Sequence, residues 1–230
     1  MEMLRLVVLG GLLGLDGTSV GQFMVSRPLV AGALTGWLLG DVASGVAIGA
    51  ILELYLLVSF PTGGARFPEA STATVVAVGA AAPFTAAGAL PVAVALGLVW
   101  GQIGGASVTL QRNLNTRLVH GSTSPESPSP GESSAGSVSA RSVSVRHVLA
   151  VAVDFVRGMV VTATGVAVGR TVLAAVAGTW PLEVEVSHGI VLLGGAVSAG
   201  ILLHDMGGFR KRRVWLAAGL AVGVVGARFL

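Results

Sequence analysis

Two carboxylates and an arginine interrupt one of the most apolar stretches of the chain. GAILELYLLVSFPTGGARFPEAS, residues 49–71, sets Glu53 inside a run of aliphatic side chains and then places Arg66 and Glu69 around a Pro-Thr-Gly-Gly break. A charge at the centre of a membrane helix costs from about 2.5 kcal/mol upward on insertion scales, so Glu53 must face protein or water, not lipid. Carboxylates accept hydrogen bonds, and each hydroxyl of a sugar both donates and accepts them, so Glu53 and Glu69 read as acceptors lining a polar substrate site. The same residues admit a structural account. Arg66, past a turn able to reverse the chain, folds back onto Glu53 as a buried ion pair. Glu69, after Pro68 at a helix start, meets the positive end of the helix dipole. A second polar cluster, LDGTSVGQFMVSRPLVAG, offers Asp16, Thr18, Ser19, Gln22 and Arg27 ahead of Pro28. The candidate substrate-binding residues are therefore Gln22, Arg27, Glu53, Arg66 and Glu69, with Gln22 as packing residue and Arg27 as interfacial anchor the plainer alternatives.

Paired carboxylates also serve acid and base catalysis. No nucleophile or metal-ligand spacing accompanies them here, and the chain has no cysteine, which removes thiolate metal sites and cysteine nucleophiles together. His120, His147, His188 and His204 fall in loops or at span ends, without a phosphotransfer motif. The spacing implies no catalytic residue, no metal and no cofactor.

The elements that position these residues lie in a bilayer. Of 230 residues 53% are hydrophobic and 11% charged, with mean hydropathy +0.84; soluble domains carry roughly 25% charged residues. The 14 Lys and Arg residues form no basic, aromatic-interleaved face, which argues against nucleic acid. MEMLRLVVLGGLLGLDG resembles a secretory signal only superficially, because Glu2 spoils the basic region and no small-residue cleavage site follows; it reads as a retained segment. Apolar runs predict spans near 3–21, 28–42, 44–60, 70–84, 88–109, 147–178, 187–204 and 214–230. Several are too short to cross a bilayer, which needs about 20 residues. Breaks such as GDVASG and APFTAAGALP are permitted at membrane depth only where protein or a water-filled cavity shelters the backbone, and in transporters they mark substrate sites. The expected fold is an all-α polytopic membrane helix bundle with broken or re-entrant helices.

Residues 111–146 read as a Ser/Pro-rich disordered linker between the membrane segments 1–110 and 147–230. Its flanking arginines, and FRKRR at 209–213, place both loops in the cytoplasm by the positive-inside rule, with the acidic turn TWPLEVEVSH outside. Glycines four apart recur: Gly32, Gly36 and Gly40, then Gly45 and Gly49, Gly101 and Gly105, Gly165 and Gly169, Gly219 and Gly223. That spacing predicts tight helix packing.

SRPLVAGALTGWLLGDVASGVAIGAILELYLL, followed by a Gly-Gly turn and PEAS, resembles the IIC component of the mannose/fructose/sorbose family of the bacterial sugar phosphotransferase system. The likeness runs over residues 9–75 through Arg27 to Leu29, Leu39-Gly40-Asp41, Gly45, Ile48-Gly49, Leu52-Glu53 and Pro68. Beyond residue 110 it is looser, with His147 and Arg157 matching family positions. The resemblance implies a multi-pass permease subunit of the bacterial inner membrane that is not itself an enzyme. Its implied partners are a IID-like membrane subunit, a cytoplasmic IIB (IIAB) phosphocarrier and a hexose-type sugar, in an oligomer of heteromers. A self-contained secondary transporter and a divergent regulatory membrane subunit are the alternatives.

Overall fold

A computed structural model describes residues 1–57, 66–120 and 140–226. Among the described residues there are eight α-helices and no strand: α1 (Glu2–Thr18), α2 (Pro28–Leu39), α3 (Val42–Leu56), α4 (Ala70–Ala81), α5 (Ala89–His120), α6 (Ala140–Val176), α7 (Val184–Asp205) and α8 (Phe209–Gly226), with a 3-10 turn at Ala177–Thr179. Segments Ala89–Arg117, Val143–Thr179 and Val184–Asp205 are long and apolar enough to cross a membrane, whereas α2, α3 and α4 are apolar but short. At about 1.5 Å per residue, helices of 12 to 15 residues reach roughly 18–22 Å, less than the ~30 Å hydrocarbon core. The all-α membrane bundle with broken helices is thus the observed architecture. The helices differ from the expected spans chiefly beside the linker: α5 continues to His120 and α6 begins at Ala140, so both ends of the 111–146 stretch are helical. Its middle, 121–139, lies outside the described residues.

The breaks have local causes. Pro28 sits at the first position of α2, where its missing N–H is no loss. Gly40 ends that helix in the left-handed region at φ +82°, so this glycine terminates a helix and does not pack against a neighbour. Asp41 then caps α3, accepting a hydrogen bond from the Ser44 N–H at 3.0 Å. Two residues thus join α2 to α3 as an antiparallel hairpin.

Glycine makes that hairpin close. A Cβ on Gly36 would lie 2.4 Å from the Asp41 carbonyl oxygen, on Gly32 or Gly45 2.4 Å from the other's carbonyl, and on Gly49 2.4 Å from that of Pro28. All four obstacles are backbone and cannot swing aside. Gly36→Leu or Gly49→Leu should therefore push α2 from α3 and cost about 1–3 kcal/mol or more, whereas Gly219→Leu, where a Cβ meets nothing within 4 Å, should leave the melting temperature in detergent unchanged. Equal melting of all three variants would refute the packing role.

α4 is the hub, with every residue from Ser71 to Ala81 buried. α6 runs antiparallel to α1, where Glu2 pairs with Arg170 at one end and Thr18 reaches Asp154 at the other. It runs parallel to α4, where a Cβ on Gly165 would meet Val76 and one on Gly169 would meet Ala80. The Trp100 indole of α5 donates to the Val161 carbonyl of α6 at 2.9 Å. Leu52, Val75, Val76, Val94, Val166 and Leu173 fill the space between. At the periphery α7 lies along α3, with Ser198 donating to the Tyr55 carbonyl. α8 is exposed along almost its whole length, so the expected packing of Gly219 and Gly223 is not found among the described residues. These pairings bring Arg27, Arg66, the C-terminal part of α5, the start of α6 and the FRKRR turn to one end of the bundle. The Asp41 turn, residues 82–88 and Glu183 lie at the other.

Candidate functional site

The α2/α3 hairpin decides the partner of Glu53. Its antiparallel register, set by Gly36 against Gly45 and Gly32 against Gly49, carries the start of α2 to the last turns of α3. There the Arg27 Nε donates to Glu53 Oε1 at 2.7 Å, and Nη2 bonds the same oxygen. Among the described residues, Glu53 Oε2 receives only the Leu29 N–H, at 3.3 Å. The pair is partly open, with 27% of the Arg27 and 19% of the Glu53 side chain exposed. One carboxylate oxygen therefore keeps acceptor capacity in a partly buried position where α2 begins and α3 ends. The expected fold-back of Arg66 onto Glu53 is not what the structure has: Arg66 is exposed, and the nearer cation along the hairpin register is Arg27.

Glu69 is placed quite differently. It stands at the N-cap of α4, where a helix start was expected, but its carboxylate is 3% exposed and points to Arg157 of α6. Nη1 of Arg157 meets Oε2 at 2.8 Å and Nη2 meets Oε1 at 2.9 Å, a bidentate fork. The Thr72 hydroxyl adds a bond to Oε2 at 3.0 Å. The same guanidinium donates from Nε to Asp154 Oδ1 and from Nη1 to the Ser107 hydroxyl, both at 2.9 Å. Asp154 is fully buried, and its Oδ2 accepts from the hydroxyls of Thr18 and Ser19. One arginine thus ties α1, α4, α5 and α6 together. Gly104 makes room for it, since a Cβ there would lie 2.7 Å from Glu69 Oε2. With Glu69 so occupied, the open acceptor of the two carboxylates is Glu53.

The remaining candidates take supporting or separate places. Asp16 accepts from the backbone N–H groups of Phe23 and Ser26 at 2.7 and 2.8 Å, which pins the loop between α1 and α2. Gln22 lies on that loop, exposed, in the left-handed region at φ 53°. No described contact brings Gln22 or Arg66 to the Arg27–Glu53 pair. Asp154 and Ser107 escaped the sequence reading, although Asp154 and Arg157 stand three residues apart in an apolar run and carry the same signal that singled out Glu53. Among the described residues no group of three His, Asp or Glu side chains is placed to hold a metal. A cavity of about 500 Å³ opens at the opposite end of the bundle, between α3, residues 82–87 and the start of α7. Its polar lining is Asp41, Ser44, Thr85 and His188, and it includes neither Glu53 nor Glu69.

Fold and site together define a polytopic α-helical membrane protein with charged groups gathered where short helices break. The family model of the PTS system sorbose-specific IIC component matches residues 1–225, and the chain belongs to that family. The sorbose-specific EIIC component of Klebsiella pneumoniae is 35% identical over 60 residues, 26% of this chain and 23% of that protein. The mannose-specific EIIC component of Escherichia coli strain K12 is 37% identical over 60 residues, with the same coverage. The matched stretch thus spans under a quarter of these curated relatives. A solved structure described as a membrane protein superposes with a TM-score of 0.65 at 17% identity, covering 99% of this chain and 92% of that one, which supports the fold.

Proposed function

We propose that this chain is the permease subunit of a phosphotransferase-type sugar transporter in a bacterial inner membrane, with the polar break at Arg27 and Glu53 on the path of a hexose-type sugar. The observation that carries the reading is the half-open Arg27–Glu53 pair, set where α2 begins and α3 ends in a chain whose family is that of IIC components. The chain itself transfers no phosphoryl group in this reading; a cytoplasmic IIB (IIAB) phosphocarrier modifies the sugar as it leaves. Basic residues concentrate at the end of the bundle that holds the pair, and the positive-inside rule makes that end cytoplasmic, on the side where such a carrier works. A IID-like membrane subunit completes the path. The large exposed apolar surfaces of α7 and α8, with Leu193, Val197, Ile201, Trp215 and Leu220 all open, are suited to such a partner and to lipid.

Isolation of the protein from its native membrane in mild detergent tests the assembly. Co-purification of a IID-like subunit in fixed stoichiometry is the expected outcome. Recovery of the chain alone, with intact sugar uptake by vesicles containing nothing else, would replace this reading with that of a self-contained transporter.

A further inference from the structure

The turn that opens α8 carries four successive cations, Arg210, Lys211, Arg212 and Arg213, all exposed. None of them takes part in an ion pair or side-chain hydrogen bond among the described residues, and the nearby acid, Asp205, contacts His204 instead. Unlike Arg27, Arg157 and Arg170, these cations have no carboxylate opposite them among the described residues. Phe209 and Trp215 flank them, 65% and 75% exposed, and the helix continues as apolar surface open on all sides, with Gly219 and Gly223 facing empty space. Packing within the chain therefore does little to fix where α8 sits.

We propose that residues 209–215 form a binding surface for the headgroups of anionic bilayer lipids, which hold the start of α8 at the membrane surface. The charge pattern selects lipid over a protein partner. Four consecutive residues on a helix of 3.6 residues per turn splay around almost the full circumference. A protein docking from one side would meet one or two of them, whereas headgroups surround the helix and meet all four. Guanidinium forks match phosphate oxygens in pairs, and aromatic rings on either side suit the headgroup level of a bilayer. Attraction to an anionic leaflet is worth about fivefold in partition for each Lys or Arg near the surface.

Since the chain contains no cysteine, Val214→Cys creates a single labelling position beside the patch. The full-length labelled protein, reconstituted in phosphatidylcholine vesicles, would be titrated with brominated phosphatidylglycerol or brominated phosphatidylcholine, and quenching of the fluorophore recorded. The expected result is a preference for phosphatidylglycerol of about fivefold or more, falling toward one in high salt and in the combined variant Arg210→Gln, Arg212→Gln, Arg213→Gln. As a label-free check, phosphatidylglycerol should raise the melting temperature of the unlabelled wild type more than that of the Gln variant. Equal quenching by the two lipids, or a preference that survives the three substitutions, overturns the proposal. So does a quenching ratio near one combined with capture of an acidic soluble protein by the patch.

Discussion

Arg157→Ala is expected to lower the stability of the detergent-solubilised protein by roughly 3–5 kcal/mol, the cost of removing one partner from a buried charge pair. The substitution leaves two carboxylates, Glu69 and Asp154, facing each other in a site from which water is almost excluded, and it removes the group that joins four helices. Arg157→Lys should recover only part of the loss, because one ammonium cannot reproduce the two-pronged contact with Glu69 together with the bond to Asp154. Adding Glu69→Gln and Asp154→Asn to Arg157→Ala should recover more than the lysine does, since neutral amides no longer carry an unbalanced charge. Chemical unfolding followed by circular dichroism measures all four proteins. If Arg157→Ala unfolds at the wild-type denaturant concentration, the cluster does not hold the bundle together.

How much of this was legible in the sequence depends on the range over which each feature is decided. The starts of α2 and α4 were expected at residues 28 and 70 and lie there, because Pro28 and the Pro68-Glu69 pair act within a single turn. The break between α2 and α3 is marked by GDVASG, residues 40–45, but the expected spans 28–42 and 44–60 set it a few residues late: α2 already ends at Leu39 and α3 starts at Val42. The end of α5 and the start of α6 were not legible: residues 111–120 contain Gln, Arg, Asn and Leu, which a helix tolerates once it has emerged from the apolar core, yet the high polarity of the stretch suggests a loop. Hydropathy reports the solvent around a segment and only indirectly its backbone.

Pairing of charges was the harder matter. Closeness along the chain offers Arg66 as a structural partner for Glu53, one of two accounts the sequence leaves open, but the glycine stripes already carry the correct answer. If Gly36 meets Gly45 and Gly32 meets Gly49, one further step back along α2 and forward along α3 brings Arg27 to Glu53. No matching pair of glycine stripes marks the register of Glu69 and Arg157 in the sequence, where they lie 88 residues apart. Their contact follows from α4 and α6 running parallel in the bundle core, a tertiary fact that local spacing does not encode. A charge inside an apolar run is nonetheless an informative signal, although the sequence reading used it only for Glu53: Glu53, Asp154 and Arg157 all stand in such runs, and each is paired.

Glu53→Gln is expected to weaken sugar binding by about 10- to 150-fold while leaving the fold in place. The predicted loss is that of one charge-assisted hydrogen bond, roughly 1.5–3 kcal/mol, between the carboxylate and a sugar hydroxyl. The small effect on folding follows from the same geometry. Gln keeps the shape and can still accept from Arg27, and with 27% of the Arg27 and 19% of the Glu53 side chain exposed, solvent eases the loss, so the cost falls below the roughly 3–5 kcal/mol of breaking a fully buried pair. This is the reverse of the Arg157 case, where stability changes first and any effect on sugar is a consequence of unfolding. Arg27→Gln should act in the same direction as Glu53→Gln, since it frees the carboxylate from the orientation that presents Oε2. Arg66→Ala, exposed and apart from the pair, should change neither quantity. Binding of mannose and sorbose, the sugars named for the relatives, would be measured by calorimetry on the purified assembly, alongside its melting temperature. Wild-type affinity for both sugars in Glu53→Gln would remove the pair from the sugar path. A large loss of stability in that variant would show that Glu53, like Glu69, belongs to the scaffold.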